Sequence, residues 1–133
     1  MASLVYLDSS AIVKLVVRER ESGALFEWLA EWPERVSSAV ARVEVLRALR
    51  RAGVGSGAQR RARDVLDHIA LMPVDRPVLD VAGELEPAEL RSLDAIHLAT
   101  ALSVKADLAG LVTYDERLAR AAGRSRIGVW APA

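Results

Sequence analysis

Four acids in this chain stand beside or inside apolar runs. Asp8 closes the run Leu4 to Leu7 and precedes a second one in LVYLDSSAIVKLVV, and Asp115 follows the apolar GLVTY. Asp94 opens the long apolar stretch of RSLDAIHLATALSVKAD, and Glu44 lies within the apolar pattern from Ala39 to Arg51. An ionised carboxylate in such surroundings needs a cap, a counter-charge or a metal ion to offset its desolvation. Several carboxylates gathered from distant parts of a chain supply the oxygen ligands that hard divalent cations prefer. Without a cation they repel one another or take up protons. A cation bound there can neutralise phosphate oxygens and acidify a water for attack on a phosphodiester, with no nucleophilic side chain required.

Asp8, Asp94 and Asp115 each precede a helical stretch, so helix capping accounts for any one of them alone. Glu44 is several residues inside its helix, where the structural alternative is an ion pair with Arg47 one turn on. Ser9, next to Asp8, and Thr113, two residues before Asp115, are placed to hold a metal-bound water or the carboxylates; a cap and a strand residue are their ordinary roles. His97, one turn after Asp94, reads as a satisfied core histidine or a partner of the acids, and His68 as a surface residue. Asp75 is a helix cap ahead of Pro77, and Asp64, Asp67, Asp80, Glu84 and Glu86 read as solvated.

These residues need a scaffold. Leu4 to Leu7 reads as a buried strand, followed by a helix from about Ala11 to Val17 that Ser9 or Ser10 can cap. A helix over Ser22 to Trp32 carries Leu25, Trp28, Leu29 and Trp32 on one face and stops at Pro33. RVSSA is a strand candidate, then Ala39 to Arg51 and Ala58 to Ile69 are helices separated by GVGSG. LMPV is a weak or edge strand because of Pro73. A short helix runs from Asp75 to Leu85, and the stretch after Arg91 is a central, buried helix. LAGLVTYD is a strand, ERLARAAG a helix stopped by Gly123, and IGVW a last strand. Strands alternating with helices and lacking tight hairpin signals predict a mainly parallel sheet covered by helices on both sides. Ligands then bind beyond the carboxyl ends of the strands, where the four acids fall.

The 133 residues, 52% of them apolar, suit one compact domain over residues 1–133. No apolar stretch reaches membrane-spanning length and the N-terminus lacks a signal-peptide pattern, so the expected compartment is the cytoplasm. The absence of cysteine removes disulfides, thiolate metal sites and cysteine nucleophiles, leaving oxygen or imidazole for any metal. Formal net charge is zero, yet sixteen of the eighteen basic residues are arginine, and seven lie between Arg42 and Arg63 against the single acid Glu44. Arginine is the better bidentate phosphate binder, although a solvated helical face also explains such a run. An aspartate at the end of strand one also marks phosphoaspartate enzymes and receiver domains. The former want a second acid at position 10, which is a serine, and the latter a late lysine after a strand, whereas the only lysines are Lys14 and Lys105.

YLDSSAIVKL, VARVEVLRAL, LRSLDAIHLATAL and LVTYDERLARAA, taken together and in this order from Tyr6 to Ala122, resemble the PIN-domain ribonucleases, specifically the VapC toxins of VapBC toxin–antitoxin systems. The resemblance implies a PIN-like three-layer α/β/α sandwich with a mainly parallel central sheet of about four to five strands. It implies that Asp8, Glu44, Asp94 and Asp115 form an acidic quartet binding Mg2+ or Mn2+. It also implies RNA cleavage to 5′-phosphate and 3′-hydroxyl ends, inhibition of translation, restraint by a VapB antitoxin, and homodimers. Arg47, Arg50 and Arg51 would then suit an RNA backbone, and Trp28 and Trp32 an antitoxin helix. A non-toxin RNA-processing nuclease and an inactive PIN-like interaction module would carry the same motifs.

Overall fold

The structure, a computed structural model, describes residues 2–133. Its centre is one five-stranded sheet in the order β3-β2-β1-β4-β5, formed by β1 (Leu4–Leu7), β2 (Glu34–Ser38), β3 (Ala70–Met72), β4 (Leu108–Val112) and β5 (Val129–Trp130). Every pairing is parallel, with Tyr6 opposite Val36 on one side and Leu111 on the other. Parallel strands need crossovers, and seven helices among the described residues supply them: α1 (Ser9–Val16), α2 (Ser22–Leu29), α3 (Val40–Arg51), α4 (Ser56–Asp67), α5 (Arg76–Glu84), α6 (Ser92–Ser103) and α7 (Glu116–Arg124).

The period-two alternation of the central strands divides the interior in two. Val5, Leu7 and Val112 face a core built with Ile12, Leu25, Val45 and Leu66, from α1 to α4. Tyr6, Val36 and Leu111 face a second core built with Leu98, Leu118 and Ala122, from α6 and α7. Three layers result, as the alternation of strands and helices predicts.

Most element boundaries match the sequence reading to within one to three residues. The strand at LMPV is real and lies at a sheet edge, with Pro73 just beyond its last paired residue, Met72. Asp75 caps α5, its Oδ1 accepting from the Val78 amide at 3.0 Å.

Two terminators differ from expectation. The cap of α1 is neither Ser9 nor Ser10 but Asp8 itself, whose extended backbone (φ −79°, ψ 177°) leaves the strand while its carboxylate accepts from the Ala11 amide. Gly123 does not stop α7; it lies inside the helix. The stop is a Schellman motif centred on Arg126, with Arg126 N donating to Gly123 O and Ile127 N to Ala122 O. Arg126 occupies the left-handed region at φ 61°, a conformation that disfavours a residue with a Cβ by about 1–2 kcal/mol. Arg126→Gly is therefore expected to stabilise the fold by roughly 0.5–1 kcal/mol, net of the extra freedom glycine brings to the unfolded chain. Urea unfolding measures this as a higher midpoint at unchanged slope.

Trp28 and Trp32 stack on each other with ring centroids 5.7 Å apart, and both pack on Trp130 of the edge strand β5. They close the end of the sheet. Trp130 and the Gly128 carbonyl lie so close over Gly110 of β4 that a Cβ there would meet both, so a side chain at position 110 would force the edge of the sheet to shift.

Candidate active site

The sheet reverses its winding between β1 and β4, and in open α/β sheets the crevice at such a switch point, beyond the carboxyl ends of the strands, is where ligands bind. Asp8 leaves the end of β1, and Thr113, Tyr114 and Asp115 follow the end of β4. Helix α3 starts at the same edge after β2, bringing Glu44, and α6 begins there too, bringing Asp94 in its first turn. A cavity of about 350 Å3 at this edge is lined by all four acids, together with Ser9, Ser10, Arg91 and His97.

Asp8 is almost completely buried, 4% exposed, and every hydrogen bond to it is local to the site. Its Oδ1 accepts from Ser10 Oγ at 2.7 Å and from the Ala11 amide at 3.0 Å, and its Oδ2 accepts from Thr113 Oγ1. Ser10 Oγ in turn accepts from the Tyr114 amide and Thr113 Oγ1 from the Asp115 amide, so the ends of β1 and β4 are locked together around one carboxylate. Burial pushes the Asp8 carboxyl up from its ordinary range, against the hydrogen bonds from Thr113, Ser10 and Ala11.

Glu44 is held differently. Its Oε1 accepts from Ser9 Oγ at 2.7 Å and lies 2.6 Å from His97 Nε2. His97, 1% exposed, bonds through Nδ1 to the buried hydroxyl of Tyr6 at 2.7 Å. Burial alone would raise the Glu44 carboxyl, but the hydrogen bond and charge of His97, with the hydroxyl of Ser9, hold it below its ordinary range. The salt bridge of Glu44 is with His97, and none forms with Arg47. Burial also pushes the Tyr6 phenol upward, so it stays un-ionised.

Asp115 caps α7, its Oδ1 accepting from the Arg117 amide at 2.9 Å and the Leu118 amide at 3.2 Å. Its strand has already ended at Val112, three residues earlier than LAGLVTYD suggests. Asp94 is half-buried, and among the described residues its carboxylate takes part in no hydrogen bond or ion pair. Burial first, then the charge of Asp115, with those of Asp8 and Glu44 adding, pushes it upward, and His97 only partly opposes them.

As the side chains stand, no three acidic or histidine groups among the described residues converge tightly enough to hold an ion. The donor chemistry nevertheless fits a hard cation. Both oxygens of Asp94, Oε2 of Glu44 and Oδ2 of Asp115 make no hydrogen bond among the described residues, and the charge of Asp115 already bears on Asp94. An all-oxygen set of this kind suits Mg2+ or Mn2+.

Ser9 and Thr113 do hold carboxylates, Glu44 and Asp8 respectively. Arg47, Arg50 and Arg51 are exposed on α3 but none lines the cavity, whereas Arg91 does. Sequence reasoning offered His97 as a partner of the acids but missed its link to Tyr6, which completes the Tyr6–His97–Glu44 chain, and missed Ser10 as a bridge between Asp8 and Tyr114. The LDAIHL spacing, with His97 one turn after Asp94 on a buried helix, was the available signal for the chain.

Comparison with known proteins agrees with this fold. The PIN domain family model matches residues 5–124. Ribonuclease VapC46 of Mycobacterium tuberculosis is 54% identical over 128 residues, covering 96% of this chain and 97% of that protein. Ribonuclease VapC47 of the same species is 41% identical over 119 residues, 86% of this chain and 87% of that one. The chain belongs to the PIN-domain family and groups there with the VapC proteins. Among solved structures, a toxin–antitoxin complex from Klebsiella pneumoniae has the same fold, with a TM-score of 0.73 at 23% identity and coverage of 97% of this chain and 98% of that one. No helix among the described residues is long and apolar enough to cross a membrane.

Proposed function

We propose that the protein is a metal-dependent endoribonuclease, the toxin of a VapBC-type pair, which cuts RNA phosphodiesters to leave 5′-phosphate and 3′-hydroxyl ends and thereby inhibits translation. The observation that carries the reading is the convergence of Asp8, Glu44, Asp94 and Asp115, from four separate elements, on one cavity at the switch point of the sheet. The names of VapC46 and VapC47 support ribonuclease activity. The Klebsiella complex supports a VapB-type antitoxin as partner.

Mg2+ or Mn2+, when bound, supplies charge neutralisation on the phosphate and a more acidic water. The residues of the chain do the positioning. Asp8 is the immobile post, with both oxygens fixed by Ser10, Ala11 and Thr113. Glu44 stays ionised because His97 and Ser9 favour its charged form. Asp94 and Asp115 face the same cavity with free oxygens and complete the set.

Purified protein incubated with structured RNA is expected to cleave it with Mg2+ or Mn2+ and to stop in EDTA. Cleaved ends should accept ligation without prior phosphorylation of the downstream fragment. Cleavage that continues in EDTA and in Asp8→Asn would contradict the mechanism. Growth arrest on expression, relieved by co-expression of an antitoxin from a neighbouring gene, separates a toxin from an RNA-processing nuclease.

A further inference from the structure

We infer that the RNA backbone leaves the acidic cavity along α7, over Arg91, Arg117, Arg120 and Arg124; this rests on the ribonuclease reading above. The surface beside the cavity is a continuous trough. Arg91 and Asp115 line both the acidic cavity and a neighbouring depression of about 370 Å3 that also includes Arg117 and Arg120. Arg117 and Arg120 in turn line a third depression, of about 360 Å3, which ends at Arg124.

Positions 117, 120 and 124 are three and four residues apart, so their side chains form one stripe along the helix. Seven residues of helix extend about 10 Å, enough for a short run of backbone phosphates. All four arginines are exposed and none is in an ion pair among the described residues. Three acids, Glu89, Asp115 and Glu116, line the same depressions, and none pairs with an arginine among the described residues. The stripe remains net positive beside a cavity of four carboxylates, whose charge alone would repel a phosphodiester. Guanidinium groups flanking that cavity supply the compensating attraction in a bidentate geometry. No aromatic side chain among the described residues lines the second or third depression, so RNA is held there through its phosphates and not through stacked bases. Arg42 of α3, by contrast, is engaged by Asp67 at 3.3 Å, and Arg47, Arg50 and Arg51 lie outside the cavity.

The test is binding of a fluorescein-labelled oligouridylate in EDTA, followed by fluorescence anisotropy over a range of salt. The triple variant R117E/R120E/R124E is expected to bind at least about tenfold more weakly. Its slope of log K against log salt should flatten by about 2, since each phosphate that is no longer neutralised removes roughly 0.7. R47E/R50E/R51E should stay within about twofold of the unsubstituted protein. The charge-keeping R117K/R120K/R124K should recover most of the affinity, which separates lost charge from lost folding. Unchanged binding by the α7 reversal, or an equal or greater loss from the α3 reversal, overturns the inference. So does an α7 reversal that binds RNA normally but no longer binds its antitoxin, which would assign the face to a protein partner. Cleavage of structured RNA that is undiminished in the α7 reversal overturns this path alone. An unsubstituted protein that neither binds the oligonucleotide nor cuts RNA with Mn2+ overturns the ribonuclease reading as well.

Discussion

Asp94→Asn is expected to lower RNA cleavage roughly a thousandfold while making the metal-free protein more stable. The two effects have one origin. Asp94 is half-buried, unsupported by hydrogen bonds among the described residues, and repelled by Asp115, Asp8 and Glu44. Asparagine keeps the shape and removes the repelled charge. The pH dependence follows from the direction of the shift. In the unfolded chain Asp94 ionises near its ordinary 3.8, and in the folded chain it holds its proton to higher pH. Between those values the folded state binds more protons, so stability falls as pH rises. The advantage of Asp94→Asn over the unsubstituted protein should therefore be near zero below about pH 3.8 and grow above it. Thermal unfolding in EDTA at a series of pH values measures it. A variant that is destabilised at neutral pH would show that the carboxylate has a partner that the structure does not provide.

His97→Ala is expected to cost about 3 kcal/mol of stability, combining a cavity under α6 with the loss of two buried hydrogen bonds. The imidazole ties Tyr6 on the central strand to Glu44 on α3, partners that are 91 and 53 residues away in sequence. Removing it strands the Tyr6 hydroxyl and leaves Glu44 with only Ser9. The Glu44 carboxyl should then rise, because burial is no longer opposed by His97. A depressed carboxyl contributes stability above its ordinary value of 4.5 and loses it as pH falls through the folded value. The difference between His97→Ala and the unsubstituted protein should accordingly narrow on acidification, and the acidic limb of the cleavage profile should move to higher pH. Tyr6→Phe, which removes only the far hydrogen bond, should cost about 1 kcal/mol and leave that limb in place. Urea unfolding and pH–rate profiles of the two variants distinguish a link that tunes Glu44 from one that merely fills the core.

Much of this site is legible in the sequence, because its members carry local signals. Glu44 is the informative residue: a mid-helix acid among aliphatic neighbours has no capping role, and its expected alternative, Arg47, is not its partner. Asp8 departs from expectation in one respect. Cap and site residue read as alternatives in the sequence, with Ser9 as the substitute cap, yet one oxygen of Asp8 caps α1 while the other is held by Thr113. The Tyr6–His97–Glu44 chain joins β1, α6 and α3, and no periodicity encodes which buried histidine nitrogen meets which partner. The helix end at Arg126 is hidden for another reason. Glycine is the usual left-handed stop, so Gly123 reads as the terminator, while tertiary packing of Ile127 in the second core carries the helix past it. The alternation of strands and helices, in contrast, is enough for the all-parallel sheet, because nothing in it could form a tight hairpin.

Four carboxylates on one cavity should bind a divalent cation, and calorimetric titration with Mn2+ tests this without relying on any RNA. The unsubstituted protein should bind Mn2+ and unfold at a higher temperature in its presence, while Asp94→Asn should lose both the heat of binding and the thermal shift although its fold is intact. Equal Mn2+ affinity in Asp94→Asn, Asp8→Asn and the unsubstituted protein would place the cation elsewhere and rule out the acidic quartet as its site.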